Sequence, residues 1–392
     1  TPADVLDLRS WFALQLGDVT VAGGLDPSLI DLSATLSINR LAYNSASGVT
    51  ATGVAAKRLN WATAFDLDAD GSKDILDPGL ELPLAASLPI DFAASLQLQV
   101  SGTLQGTGTG GAILVLGPLT LKGSAGFALT QQTVDADTDG NGSADLLGAS
   151  LTTLALDAQG VGVEISGAAS LTVTGKLALA TLKPAEVTDL RSWFALKLAD
   201  VTVTGTLSAV TLTADLTIDG LGYNGASGAT ATGVAAKRLN WATAFDLDAD
   251  GSKDILDPGL ELPLAASLPI DFAASLQLQV SGTLQGTGTG GAILVLGPLT
   301  LKGSAGFALT QQTVDADTDG NGSADLLGAS LTTLALDATN IGIAISGVTT
   351  GTLAVATGKL AVATLKPADV LDLRRWFGLK LSDATVSGSL NA

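Results

Sequence analysis

The chain contains no cysteine, no histidine and no methionine, and aromatic residues make up only 4% of its 392 positions. Without thiols or imidazoles there are no cysteine nucleophiles, no histidine general bases, no disulfides and no zinc sites of the Cys/His kind. Most familiar catalytic constellations are thereby excluded, and no enzymatic activity is expected. Positive charge is scarce as well: 19 Lys and Arg stand against 38 Asp and Glu, for a formal charge of −19 and a pI near 4.1. Such a surface repels phosphates, so neither nucleic acid nor an anionic membrane is an expected partner. Long apolar runs are missing too. Stretches such as 112–116, AILVL, fall well short of the ~18 residues a membrane helix needs, and no membrane insertion of this segment is expected. No signal peptide is visible, and a first residue other than Met suggests a mature or internal piece of a longer chain. The absence of cysteine fits secretion without disulfides, and the expected location is extracellular or at a cell surface.

What is present is 47 Gly and a large share of Leu, Ala, Thr and Val, with 46% of residues hydrophobic. Low charge with this composition points to β-structure. Leu96, Leu98 and Val100 alternate with Gln97, Gln99 and Ser101, and Leu171 and Val173 with Thr172 and Thr174, the period of two that builds a half-buried sheet. Turns rich in Gly, Asn and Asp separate such runs, at 44–48 and 106–111 for example. The one helix-like stretch is 2–9, PADVLDLR, where Pro could hold a first helical position. It recurs at each seam and reads as a connector of one or two turns.

The sequence repeats. Residues 50–158 and 230–338 are identical, an offset of 180, and the phase continues through Pro2, Pro184 and Pro367 to Trp11, Trp193 and Trp376. The expected units are 1–182, 183–365 and a truncated third copy at 366–392, which implies that the array continues. Small insertions near Gly23–Pro27 and Gly347–Gly351 are expected in turns or bulges, because a slip of one residue inverts a strand's facing. Trp61, Phe65, Phe92 and Phe127 match Trp241, Phe245, Phe272 and Phe307 and read as core anchors, with a carbohydrate-binding platform as the alternative.

Negative charge is concentrated in four loops. DLDADGSKDILD places Asp66, Asp68, Asp70, Asp74 and Asp77 at positions 1, 3, 5, 9 and 12, with Gly71 at 6 and Ser72 at 7, and recurs as Asp246, Asp248, Asp250, Ser252, Asp254 and Asp257. A second loop offers Asp135, Asp137, Asp139, Asn141 and Asp145, and recurs as Asp315, Asp317, Asp319, Asn321 and Asp325. With five acids in each first-type loop and four in each second, these loops hold 18 of the 38. The spacing is that of a calcium loop: positions 1, 3 and 5 aim carboxylates at one centre, Gly at 6 allows the reversal, and the carbonyl at 7 adds a ligand. Two carboxylates about 5 Å apart repel by roughly 3 kcal/mol at an effective dielectric near 20, so convergence without a cation is unfavourable. A plain solvated turn, magnesium and a catalytic carboxylate cluster are the alternatives. Pro78-Gly79 follows at once, so no exit helix is expected and the loop should join strands.

Gly106-x-Gly108-x-x-Gly111 matches a dinucleotide fingerprint in form, but a strand and Gly117-Pro118 follow where a helix is required, so a hairpin turn is expected. Lys57-Arg58 and Lys237-Arg238 are isolated pairs suited to nearby acids.

The Asp-x-Asp-x-Asp-Gly loops, the Thr/Leu/Ala/Gly-rich strands and the near-identical tandem array resemble the very large repeat proteins of bacterial surfaces, RTX-type adhesins among them. The resemblance implies secretion, folding triggered by external calcium, and a role as stalk, adhesin or filament. The glycine-rich nonapeptide of the RTX calcium roll is not present in tandem. The expectation is therefore an all-β array of long antiparallel strands with calcium-clamped loops, whose neighbouring repeats bury their seams against each other and whose chains associate laterally. An adhesin repeat that binds glycan or another surface directly is the alternative.

Overall fold

A computed structural model describes the chain except residues 1–6, 26–30, 82–86, 109, 117–118, 166–168, 208–210, 249, 288–290, 297–298, 346–349 and 392. Half of the expected insertion points, Asp26, Pro27 and Gly347–Thr349, lie outside the described residues, as do Pro2–Leu6 of the first connector.

Antiparallel strands dominate. They are β1 (Ser10–Leu25), β2 (Asp31–Ser47), β3 (Leu96–Gly106), β4 (Ala112–Leu116), β5 (Leu119–Ala136), β6 (Leu146–Ile165), β7 (Ala169–Lys183), β8 (Ser192–Leu207), β9 (Thr211–Ser227), β10 (Leu276–Gly286), β11 (Ala292–Leu296), β12 (Leu299–Ala316), β13 (Leu326–Ile345), β14 (Thr350–Lys366) and β15 (Trp376–Asn391). All join one sheet in chain order, with β4 set between β2 and β5 and β11 between β9 and β12. The all-β expectation holds, and the seam needs no separate interface: β7 pairs with β8 along its length, Leu182 opposite Trp193, so the ladder runs unbroken from one repeat into the next.

Two details differ from expectation. β3 and β4 run in the same direction against the same partners, Ala34 facing Gly106 and Leu32 facing Leu114. They are one interrupted strand, and the glycines at 106–111 form a bulge inside it instead of a hairpin turn. The loop closes on itself through Gly108 N–H to Ala112 O and Gly111 N–H to Gly108 O. A side chain at Gly106 would come within 2.1 Å of the Gly111 carbonyl, which is why glycine is needed there. The connectors at Pro184 and Pro367 contain turns and no helix. Asp189 takes a fork of hydrogen bonds from the Arg191 guanidinium at 2.7–3.0 Å, and Arg191 lies over the Trp193 ring at 5.3 Å. The same Asp-x-Arg-x-Trp clasp recurs at Asp7–Arg9 and Asp372–Arg374. A two-residue clasp that sends the chain straight into the next strand leaves no room for a helical turn.

The two faces of the sheet are unlike. On one, cross-strand neighbours form an aliphatic row that begins at Phe127 and runs Leu156, Leu177, Leu198, Leu221, Val280, Leu309, Leu334, Val362, Leu379 from β5 to β15. Most of these side chains are half-buried and gain their packing from one another. On the other face the middle row is mostly of small residues: Ala42, Gln99, Thr130, Thr153, Ala180 and Ala195 are neighbours across the strands.

That small-residue face is a bed for the long connections 48–95 and 228–275, which leave the sheet after β2 and β9 and return at β3 and β10. Each is tied to its own sheet in the same way. Asn224, fully buried, donates to the carbonyls of Leu239 and Ala273 and accepts from Trp241 Nε1, and Trp193 Nε1 donates to Lys237 O. Asn44, Trp61 and Trp11 repeat the pattern. Gly228, at φ +80, sits where a Cβ would fall 1.9 Å from Leu190 O, so only glycine lets the connection depart so close to the seam.

The second connection also reaches back over the preceding repeat. Its 3₁₀ turn Pro258–Glu261 packs on β5, β6 and β7, Phe245 bridges Ala136, and Asp137 N–H bonds Ala244 O at 3.0 Å. The main core is therefore built across the repeat boundary, with Trp241, Phe245 and Ile270 set against Leu151, Ala155 and Leu182. Phe92, Trp241, Phe245 and Phe272 are buried core anchors as expected, whereas Phe127 belongs to the half-exposed aliphatic row.

Candidate metal centres

The first acidic loop lies inside the long connection instead of between two strands of the sheet. Phe65 and Asp74 bridge its neck, with Asp74 N–H to Phe65 O at 2.9 Å. The chain then reverses through Ala69 at φ +61 and Gly71 at φ +89, as the spacing required. This brings oxygens of Asp66, Asp68 and Asp70 within 4.8 Å of one another, and the same is true of Asp246, Asp248 and Asp250. Gly71 N–H donates to Asp66 at 3.1 Å and Ser72 N–H to Asp70 at 2.7 Å. Gly251 and Ser252 do the same for Asp246 and Asp250. The Ser72 hydroxyl and backbone hold the Asp70 carboxyl below the ordinary carboxylate range, and those of Ser252 do so for Asp250.

Positions 9 and 12 are placed differently. Asp74 and Asp254 accept from the backbone of Leu67 and Leu247 at 2.6 Å and close the neck. Asp77 caps a 3₁₀ turn at Pro78–Glu81 and collects donors from Gly79, Ser87 and Leu88 at 2.7–3.1 Å, and Asp257 repeats this. The expectation that no helix follows the loop is corrected by this single turn, since Pro fits a first helical position and Asp an N-cap. The Leu88 backbone, then Ser87, keep the Asp77 carboxyl below its ordinary range.

In the second loop, Asp137, Asp139 and Asp145 converge within 4.8 Å. Asp137 is only 4% exposed, because residues 244–245 of the next repeat lie across it. Burial works against its ionisation, but N–H groups of Gly142, Gly140 and Asn141 outweigh that and hold its carboxyl low. Asn141 bonds Asp139 through its side chain, Thr138 holds Asp145, and Asp135 turns aside to accept from Gly148. In the fourth loop Asp315, Asp317, Asp319, Asn321 and Asp325 make the same hydrogen bonds, yet its carboxylates do not close to the same triplet. Three carboxylates with flanking carbonyls and hydroxyls form the all-oxygen donor set that suits a hard divalent cation.

What the sequence did not reveal is the groove beside each long connection. Tyr223, Asn224, Lys237 and Arg238 line a groove of about 700 Å³ that reaches the second acidic loop at Asp139, and its counterpart of about 730 Å³ is lined by Tyr43, Asn44, Lys57 and Arg58. The basic pairs stand here, and their arginines bond carbonyls and threonines: Arg58 donates to Ala94 O and Thr133, and Arg238 to Ala274 O and Thr313. The pairing of Tyr and Lys-Arg across ~15 residues of sequence gave no local signal.

Comparison of the chain with protein-family profiles, with curated proteins and with solved structures gives no match.

Proposed function

We propose that the chain is an extracellular, calcium-stabilised structural repeat that builds a stalk, filament or surface-layer element of a bacterial cell surface or matrix, in the manner of the giant RTX-adhesin-like repeat proteins, and that it has no catalytic role. One observation carries this reading: the long connection that covers the repeat boundary bears an acidic triplet at Asp246, Asp248 and Asp250, and the boundary itself lies against another, at Asp137. A divalent cation there would relieve the repulsion of clustered carboxylates and stiffen the segment that locks one repeat to the next. Extracellular modules typically bind calcium with constants of about 10⁻⁴ to 10⁻³ M, matched to an external pool. The aliphatic face supports lateral association of chains. Calorimetry with calcium, together with near-UV circular dichroism before and after chelation, tests the reading. It expects about two ions per ~180-residue repeat and loss of tertiary signal on chelation. Binding that leaves tertiary signal and protease resistance unchanged overturns it.

A second reading, an adhesin repeat that binds glycan directly, is favoured by the recurring Tyr/Asn/Lys/Arg groove. Binding on a glycan array that disappears in both Tyr43→Ala and Tyr223→Ala would support it.

A further inference from the structure

The sheet is notched once in each repeat. β9 runs on to Ser227 and β12 to Ala316, but β10 between them begins only at Leu276, opposite Gln312. On β9 its pairing stops at Tyr223, opposite Leu278, so residues 224–227 have no ladder partner on that side. The same notch lies between β2 and β5, where β3 begins at Leu96 opposite Gln132 and pairs with β2 no further than Tyr43.

An arginine from the long connection enters each notch. Arg238 Nε donates to Ala274 O at 3.1 Å, just before β10, and its Nη2 donates to Thr313 on β12; Arg58 repeats this with Ala94 and Thr133. These bonds use two of the five N–H groups of each guanidinium, and the others have no acceptor among the described residues. Arg9, Arg40, Arg191 and Arg374 each hold an aspartate. Among the described residues Arg58 and Arg238 form no ion pair, nor do Lys57 and Lys237 beside them. Burial pushes both part-buried guanidinium groups below their ordinary value, and only the Tyr43 and Tyr223 phenols work the other way. A cation drawn out of water without a counter-charge is unfavourable, and here it occurs twice in a chain with 38 acids to 19 bases.

The other walls define the anion that fits. Grooves of about 700 and 730 Å³ are of the size that takes an organic molecule, far more than an inorganic ion fills. Gln97, Ser95 and Thr133 in the first, and Gln277, Ser275 and Thr313 in the second, offer amides and hydroxyls. Phe12 braces the Tyr43 ring at 6.2 Å between centroids, and Phe194 braces Tyr223 at 5.9 Å. The Tyr223 ring lies over Gly225, where a Cβ would fall 2.9 Å from its Cε1.

We propose that each groove is a binding site for an acidic saccharide, its carboxylate held by Arg58 and Lys57 in the first repeat and by Arg238 and Lys237 in the second. The guanidinium fork matches a carboxylate in two parallel bonds, the tyrosine ring packs on the sugar ring, and the amides and hydroxyls take its hydroxyl groups. The inference rests on the glycan reading and adds the charge of the ligand; it does not depend on calcium. The second groove is also bordered by Asp139 and Asp315, whereas no carboxylate lines the first, so the first is the tighter site.

The test is calorimetry of the full chain at saturating calcium with trisaccharides of galacturonate and of mannuronate, each beside its methyl ester, which keeps the ring and removes the charge. The acid form of one should bind at two sites, with its ester about tenfold weaker or more. Arg58→Gln should remove the tighter site and Arg238→Gln the weaker. Since both arginines also bond the backbone, Lys57→Gln with Lys237→Gln, at exposed positions, is the second variant, expected to weaken binding severalfold at an unchanged melting temperature. Equal binding of acid and ester, lost in Tyr43→Ala with Tyr223→Ala, overturns the inference and leaves the glycan reading standing. Absence of binding by any of the four, together with a blank glycan array, overturns both. Acid binding that ignores the arginine and lysine variants, or that citrate displaces as well as the trisaccharide does, overturns the inference too.

Discussion

Residues 50–95 and 230–275 are one sequence in two environments. Both hang from their own sheet by the same buried asparagine and the same tryptophan N–H, so the local fold is inherited from the sequence. What differs is the floor beneath. The second copy rests on β5–β7 of the repeat before it and buries Leu239, Trp241, Phe245 and Ile270 completely, while the first leaves Leu59, Trp61, Phe65 and Ile90 part-exposed. Stability in this chain is thus partly a property of the boundary, as nearest-neighbour terms are in repeat arrays.

The comparison is broken most sharply by truncating the two tryptophans. Trp241→Ala should lower the unfolding free energy by about 4 kcal/mol, a large-to-small loss in a closed core, and Trp61→Ala by about half of that, because its ring is already partly wet. Equal losses in urea titrations would mean that the preceding repeat contributes nothing. Asn44 and Asn224 provide the control. Each is fully buried with three hydrogen bonds, so Ala at either should cost about 2–3 kcal/mol by leaving two carbonyls and an indole N–H unpaired. A large difference between those two would show that the boundary reaches into the anchor as well.

Smaller effects sharpen the comparison at the acidic loops. Residues 135–145 are held by Ala244 and Phe245, and 315–325 are not, so calcium should bind the former about tenfold more tightly, or ~1.4 kcal/mol. Asp137→Asn should remove the tighter class in calorimetry and Asp317→Asn the weaker. Smallest of all is the acid response. Because the Asp77 carboxyl is held below its ordinary value, the stability it lends is complete above the unfolded value near 3.9 and fades as pH falls through the lower folded value. Asp77→Asn should therefore lower stability slightly at neutral pH and flatten its further loss in that acid range. An unchanged acid limb in pH-dependent melts would remove the capping role.

The strands, their all-β class and the reversal of both loops were legible because alternation and Asp/Gly spacing are local signals, readable at Leu96–Ser101 and at Asp66–Gly71. The glycine bulge was not, since whether Gly106–Gly111 folds back or runs on depends on β2 and β5 alongside. Nor was the fate of Asp77 and Asp135: position 12 of a calcium spacing and the N-cap of a Pro-led turn are written with the same letter, and only Ser87 and Leu88, about ten residues downstream, decide which role Asp77 takes. The covering of one repeat by the next was hidden for a different reason. Identical copies carry identical letters, and burial that depends on a neighbour leaves no mark in either one.

The unbroken ladder has a mechanical consequence. Each repeat adds six strand positions side by side, or about 29 Å measured along the hydrogen-bonding direction at ~4.8 Å per strand, while its ~180 residues drawn out straight would reach roughly 600 Å. Tension along that direction loads hydrogen bonds one after another at a free edge instead of shearing a whole strand at once. Each strand that peels off would release tens of ångströms of slack, so a tether built this way would lengthen about twentyfold under load before any covalent bond is strained.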